Sequence, residues 1–465
     1  MFPVRSSEIF ISESGNEVVI SFPTEVGMRS TAPSSIKIIE DTVLIEDGGA
    51  DADSSEEIAL IPRIESKGVR AEIESSRLFR TERIASALQH LPDSLRPVRF
   101  DFSSDGGRVV TIFCEDRWKR QRLVITDISD SLTPEYLVTT LLLKINALDR
   151  RCVGRINPIS LLLNKKNSKV ADELVRTLRP HLKSCIRLFE LDETDREELR
   201  LIAIEQRMKR LQSSRRRMQS TSHLGKAEIE SLLSHIVGIA PNSIDVIFSS
   251  SGWTLRFKGL AFLRMRELQG RIRCWLGVGE RKNEIKVSEL IESSRELIDS
   301  ISEYRRNDPP TRRHEYYRLA SEAWLESLLL RDITRLDPNL IIAPVYNQFR
   351  SGSDRIDILA LRSDGRTVII EVKVGTDREA LFQTIDYWGK IESSRGRGTN
   401  QFGDLFPGHT VRDEPPIIFI VAPLLSFHRD FEFLVSCIDP EIRICRFDLN
   451  EDWRRGISVH RRTEY

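Results

Sequence analysis

Three charged side chains near residue 360 have the spacing of a hydrolytic site. Asp357 interrupts the apolar run Ile356-Asp-Ile-Leu-Ala-Leu361, and Glu371 and Lys373 close the run Val368-Ile-Ile-Glu-Val-Lys373. Both runs read as strands, and Ser363-Asp-Gly365 between them is a turn signal, so they should form a hairpin. Glu371 and Lys373 are two residues apart and share a face of one strand. Asp357 can come beside them from the adjacent strand. Two neighbouring carboxylates repel unless a cation lies between them. Hard oxygen ligands with open positions suit Mg²⁺ or Mn²⁺. Such a metal polarises a phosphoryl oxygen and makes bound water acidic. An ammonium beside it orients that water or neutralises charge developing in the transition state. The chemistry this set would support is phosphodiester hydrolysis.

Other elements must hold these residues in place. The helix expected over Arg378–Ile391 carries Gln383 and Tyr387 four apart, on one face towards the hairpin. Upstream, a helix is expected from about Thr311 to Thr334, with Glu322 and Glu326 on one face. An extended stretch, Ile341–Arg350, separates it from the hairpin. Downstream come the apolar strand Ile417–Ala422, a helix Arg429–Ile438 and a strand Ile442–Phe447. The expected order is α-β-β-β-α-β-α-β, an α/β fold with a mixed sheet.

Asp357…Glu371-Val-Lys373…Gln383-Thr-Ile-Asp-Tyr387 resembles the PD-(D/E)XK nucleases, in the subset with a Gln-x-x-x-Tyr helix. Arg-Ile-Asp-Ile-Leu-Ala, Val-Ile-Ile-Glu-Val-Lys and the lead-in Glu322-Ala-Trp-Leu-Glu326 look most like the C-terminal domain of NucS-type endonucleases. The resemblance covers about residues 315–450 and implies a restriction-endonuclease-like core. It implies Asp357 and Glu371 as metal ligands, with the Val372 carbonyl as a third, and Lys373 as the catalytic lysine. Gln383 and Tyr387 would support the site. Glu326 would be the first-helix acid, with Glu322 as the alternative. Members cut DNA or RNA with Mg²⁺ or Mn²⁺, and many cut two strands as dimers, so nucleic acid, DNA before RNA, and a homodimer are the expected partners. Ile356 stands where a proline would precede the aspartate, and Asp354 is a competing acid. The first 300 residues show no likeness to the rest of such enzymes.

Composition bounds the alternatives. The chain has 465 residues, 70 basic and 70 acidic, and 40% hydrophobic residues. That length suggests two to four domains, and the apolar content excludes wholesale disorder. A neutral balance excludes a polybasic nucleic-acid coat. The basic residues are 55 arginines and 15 lysines, a bias that fits both a GC-rich genome and bidentate phosphate contacts. From Arg312 onward there are 22 basic and 24 acidic residues, so any nucleic-acid contact must come from local patches. The candidates are Arg312 and Arg313, within an Arg-Tyr cluster over 304–318, then Arg355, and Arg395 and Arg397 in a Gly-rich loop. Arg215-Arg-Arg217 and the aromatics Trp253, Phe257, Phe262 and Trp275 read more simply as a solvated helix face and as core. His314, His409, His428 and His460 lack metal-ligand spacing and read as surface residues.

The six cysteines are scattered without a CxxC pair, which points to free thiols in a reducing cytoplasm. No apolar run is long enough to span a membrane, and the N-terminus has no basic region followed by an apolar one. Residues 1–57 read as a β-rich segment with an acidic linker over Glu40–Glu57. Residues 58–193 read as a mixed α/β domain, and 194–310 as helical, then β-rich, with a helical linker ended by Asp308-Pro-Pro310. The nuclease-like domain would occupy 311–465. Phe-Ser-Ser before a hairpin at both 102–104 and 248–250 hints at an internal repeat. Two rivals to catalysis follow from the same residues. One is a fold of this kind kept as an inactive nucleic-acid-binding or assembly module. The other is an interaction protein in which the acids form salt bridges with Lys373 and Arg355.

Overall fold

The computed structural model describes short strands within residues 10–60 and residues 67–149, 158–192, 199–204, 226–342, 356–395 and 406–465, apart from isolated turn positions. By its contacts the chain divides into two compact units. The first is 1–133 with 151–168 and 186–203, and the second is 134–150 with 169–185 and 204–465.

The first unit begins with two three-stranded antiparallel sheets. One is β1 (Phe10–Ser14), β2 (Glu17–Thr24) and β3 (Gly27–Thr31). The other is β4 (Pro33–Ile39), β5 (Thr42–Asp47) and β6 (Glu57–Leu60). The hairpin expected around Ser14-Gly-Asn16 is present, with Ser14 opposite Glu17. The acidic stretch is not wholly a linker, because Thr42-Val-Leu-Ile45 supplies enough β-branched and apolar side chains for β5, and Ile45 is fully buried. Helix α1 (Lys67–Gln89) follows. Then come β7 (Arg96–Phe102), β8 (Val109–Glu115), β9 (Gln121–Asp127), β10 (Ile159–Asn164), β11 (Ile186–Asp192) and β12 (Arg200–Ala203). They form one sheet in the order β12-β11-β10-β9-β8-β7. β7, β8 and β9 make an antiparallel meander, β10 and β11 run parallel to β9, and β12 closes the edge antiparallel.

The second unit starts with the crossover helices α2 (Pro134–Asp149), α3 (Lys165–Arg176, of which 169 onward belong here) and α4 (Pro180–Cys185). Pro180 opens α4 and keeps it separate from α3, since proline cannot continue a helix. Helix α5 (Lys226–Ile239) precedes a five-stranded antiparallel meander: β13 (Ile244–Ser249), β14 (Gly252–Phe257), β15 (Leu260–Leu268), β16 (Arg271–Val278) and β17 (Arg281–Ile285). Phe257 and Phe262 are core residues here. The Arg215 run and Arg207–Arg210 lie outside the described residues. Helix α6 (Leu290–Tyr304) leads into the last domain.

There the single long helix expected over 311–334 is two, α7 (Glu315–Arg318) and α8 (Ser321–Arg331). Ala320 breaks it with a left-handed backbone, φ 48°. The break holds because Arg305, fully buried, donates to the carbonyls of Tyr316, Leu319, Ala320 and Lys258. The final sheet runs in the order β18 (Leu340–Ile342), β19 (Ile358–Arg362), β20 (Thr367–Val372), β21 (Ile417–Pro423), β22 (Ile444–Leu449) and β23 (Val459–Glu464). β18, β19 and β20 are antiparallel, β21 and β22 continue parallel, and β23 is antiparallel at the edge. Helices α9 (Ala380–Arg395) and α10 (Phe431–Ser436) make the crossovers.

β20 and β21 are buried along their whole length, as expected of central strands covered on both faces. Gly365 turns the β19–β20 hairpin at φ 88°, where a Cβ would meet the Thr410 carbonyl. Gly259, at φ 81° in the β14–β15 turn, lies so close to α8 that a Cβ would overlap the Ala323 backbone at 2.2 Å.

Candidate active site

The hairpin brings the acids together as its spacing requires. Ile358 pairs with Ile370, which puts Asp357 beside Glu371 at the next position. The Val372 backbone N–H donates to Asp357 Oδ2 at 2.9 Å, fixing that carboxylate on the strand end. Glu371 is buried, with Oε1 3.0 Å from Lys373 Nζ. Its Oε2 is buried without a hydrogen-bond partner. Lys373 Nζ also contacts Asp377 Oδ2 at 3.2 Å and donates to Gln383 Oε1 at 3.1 Å. Gln383 therefore holds the lysine through the face of α9 that the sequence singled out.

The electrostatics follow from burial and crowding. Burial, and then the Asp357 carboxylate, push the Glu371 carboxyl up to about 8, while Lys373 opposes the shift. Burial works against the Lys373 ammonium, but Glu371 and Asp377 outweigh it and raise its pKa. The ammonium stays charged, and the acid pair resists carrying two negative charges without a further cation.

These groups open into a cavity of about 500 Å³. Glu322 and Glu326 of α8 and Gln383, Asp386 and Tyr387 of α9 form its walls, and Glu135 from the first turn of α2 joins them. Glu322 accepts weakly from the Val374 N–H at 3.5 Å, and its charge is felt at both Glu371 and Lys373. Glu326 is buried and faces Arg256 of β14 at 3.7 Å. Glu322 is thus coupled to the central pair, while Glu326 lines the same cavity with Arg256 beside it. Among the described residues no three His, Cys, Asp or Glu side chains already converge as a closed metal cage. The donor set instead offers two adjacent carboxylates, one of them with a buried unpartnered oxygen, and the Lys373 ammonium neutralises the other oxygen of that carboxylate. That chemistry fits a divalent cation held by few protein ligands with the rest water.

Sequence reading missed Asp377, Asp386, Glu135 and Arg256. Asp386 was within reach, since it shares the helix face of Gln383 and Tyr387. Glu135 and Arg256 are distant in sequence and carry no local signal.

The expected nucleic-acid contacts fare differently. Arg312 and Arg313 are exposed. Arg355 and Arg397 lie outside the described residues. Arg395 is committed to Glu392 at 2.5 Å and Asp413 at 2.9 Å, so it is an ion-pair anchor of the end of α9 and not a free phosphate contact. The Arg-Tyr cluster over 304–318 is packed only in part, since Arg306, Arg312, Arg313 and Arg318 are exposed. Arg305 is internal, and Tyr304 stacks on His314 at 3.6 Å with Tyr316 edge-on. His314 is not a plain surface residue, because it caps α7 by accepting from the Tyr316 N–H. His428 likewise accepts from the Asp430 N–H. Cys114, Cys274, Cys437 and Cys445 are free thiols, and Cys152 lies outside the described residues. No helix among the described residues is long and apolar enough to cross a membrane.

No family model matches the sequence, and no curated protein does. One solved structure, that of EndoMS in apo form, matches 32% of this chain and 68% of its own at 11% identity, with a TM-score of 0.15. So loose a likeness places no residue.

Proposed function

We propose that the domain from residue 311 onward is a Mg²⁺- or Mn²⁺-dependent phosphodiesterase acting on nucleic acid, DNA before RNA. The observation that carries this reading is the Asp357–Glu371–Lys373 cluster at a sheet end, with a buried carboxylate oxygen left without a protein partner. A buried unpaired acceptor costs about 1–3 kcal/mol, so it persists where something else completes it. Asp357 and Glu371 would hold the metal, with the Val372 carbonyl beside them. Bound there, it would supply Lewis-acid polarisation of a phosphoryl oxygen and a more acidic water. The cavity wall is mostly carboxylate, which repels a phosphate backbone, so admission of substrate itself calls for a cation.

The chain's own groups do the rest. Lys373, steered by Gln383 and Asp377, presents its ammonium to the attacking water or to the scissile phosphate. Glu322 lies across the cavity as a further acceptor, and Tyr387 lines the wall through which a backbone would pass. The salt-bridge rival accounts for Glu371 Oε1, which Lys373 holds, but gives no role to the buried Oε2.

The test is cleavage of single-stranded, duplex, flapped and mismatched DNA, and of RNA, with Mn²⁺, Mg²⁺ or EDTA. Metal-dependent cleavage lost in both Lys373→Ala and Glu371→Ala supports the reading. No cleavage of any substrate, or cleavage indifferent to EDTA, ends it.

A further inference from the structure

The sheet β7–β12 has the connectivity of the sheet β18–β23, strand for strand. Each follows a helix, α1 or α8. Each is an antiparallel three-strand meander, a helix, a parallel strand, a helix, a second parallel strand and an antiparallel edge strand. Ile159 and Ile418 are each the first residue of their strand paired on both sides, which aligns the two sheets. Ile159 pairs with Leu123 on one side and Ile186 on the other, as Ile418 pairs with Ile369 and Ile444.

Carried along that register, Thr111 falls where Asp357 stands, Ile125 where Glu371 stands and Asp127 where Lys373 stands. Thr111 and Ile125 are both buried. A shift of two, the next register that keeps the same faces, gives Val109, Asp127 and Ser129 instead. Neither choice yields two acids and a lysine. Asp127 is engaged locally, accepting from the Ser129 and Leu132 N–H groups and the Ser129 hydroxyl. The fourth and eighth residues of α2 are Leu137 and Leu141, both buried, where α9 has Gln383 and Tyr387.

Within the second unit, equivalent elements of the two folds meet reciprocally. α2 packs against α9 and α10. Beyond α3 and α10 lie Leu178-Arg-Pro180 and Ile438-Asp-Pro440, and Leu178 and Ile438 bridge antiparallel. The Arg179 N–H donates to the Cys437 carbonyl at 2.9 Å, and the Asp439 N–H to the Thr177 carbonyl at 2.8 Å. Such an exchange, in which each position meets its own counterpart, is the mark of an isologous contact between identical subunits. Here one chain makes it with itself.

We propose that this chain carries both members of a nuclease pair in one polypeptide, with only the second fold able to cut, so that a duplex is opened on one strand and not on both. The inference rests on reading the Asp357 site as a phosphodiesterase. Each event breaks one P–O3′ bond: the oxygen of water joins phosphorus, its proton passes to solvent and the 3′-oxygen leaves protonated. Among the described residues the equivalent positions of the first fold hold no Asp-Glu-Lys set to supply the second cut, and the Leu178 and Ile438 segments, equivalent in the two folds, are already paired within the chain.

The test uses the full-length protein, a relaxed covalently closed circular duplex and Mn²⁺, with Glu371→Gln as control and the sedimentation mass measured under assay conditions. Expected are a one-chain species of 53.5 kDa and open circles alone until most circles are consumed. Linear DNA formed in step with open circles, or a two-chain species whose activity falls on dilution, overturns the proposal and leaves the phosphodiesterase intact. Cleavage of single strands with closed circles untouched does the same. No metal-dependent cleavage of any strand removes the underlying reading and this proposal with it.

Discussion

At the scale of single residues, the site is an unbalanced charge cluster that a metal would balance. Lys373→Met removes the ammonium and should lower the cleavage rate by roughly 10²–10³-fold with metal binding kept, as is typical for loss of one electrostatic stabiliser. Gln383→Leu should cost about tenfold by loosening the lysine, with the melting temperature little changed. The Glu371 carboxyl gives a pH signature in the metal-free protein. Folded, it keeps its proton up to about 8, whereas an ordinary glutamate loses it near 4.5. Between those values the unfolded chain binds fewer protons, so stability falls as pH rises. The slope is at most about 1.4 kcal/mol per pH unit for one group. Thermal melts of the parent in EDTA should show that decline, and Glu371→Gln should flatten it while abolishing Mn²⁺ binding by calorimetry. A parent curve rising from pH 5 to 8, with no difference from the variant, would count against the buried-acid account.

At the scale of elements, Arg305 decides where helices begin and end. Its guanidinium satisfies four carbonyls around the α7–α8 break and stacks on Trp324 at 4.4 Å. Arg305→Leu strands those acceptors and should cost about 3 kcal/mol or more, read by denaturant unfolding. Ala320→Gly should be neutral or stabilising by up to about 1 kcal/mol, since glycine adopts the left-handed backbone without penalty. The hairpin, Glu371 beside Asp357 and the Gln383 helix were legible in the sequence because each rests on local spacing: period two in strands, period four on a helix, a Gly-turn between. The broken helix and the loss of Arg305 from the Arg-Tyr patch were not. Both depend on Arg305 reaching carbonyls from Lys258 to Ala320, a contact no window of sequence contains. Edge strand β23, Val459–Glu464, was missed because its Val-His-Arg-Arg-Thr-Glu is largely polar and exposed, as an outer strand can be.

At the scale of the whole molecule, the duplicated connectivity was invisible in the sequence for a plain reason. A fold of this kind demands apolar strands and amphipathic crossovers, and those demands are met by many residues, so two copies keep their registers while their letters diverge. The Phe-Ser-Ser pair at 102 and 248 is unrelated to it, since those residues end β7 and β13, which hold different places in different sheets. The second unit also recruits α2, whose Glu135 reaches the cavity and whose flank covers α9 and α10. A fragment beginning at residue 311 should therefore be less soluble and far less active than the full chain, as measured by sedimentation and cleavage of the same substrate.

Gly259 shows what this arrangement means for reading genetic variation. Any side chain there strikes the backbone of Ala323, next to Glu322, so the meander turn and the acid-bearing helix share one unoccupied volume. An allele with alanine at 259 would behave like a lesion of the cavity wall, though it lies some sixty residues upstream in the chain and carries no reactive atom. Screens that sort loss-of-function alleles by chemistry alone would miss it, and a suppressor would be sought most profitably on α8.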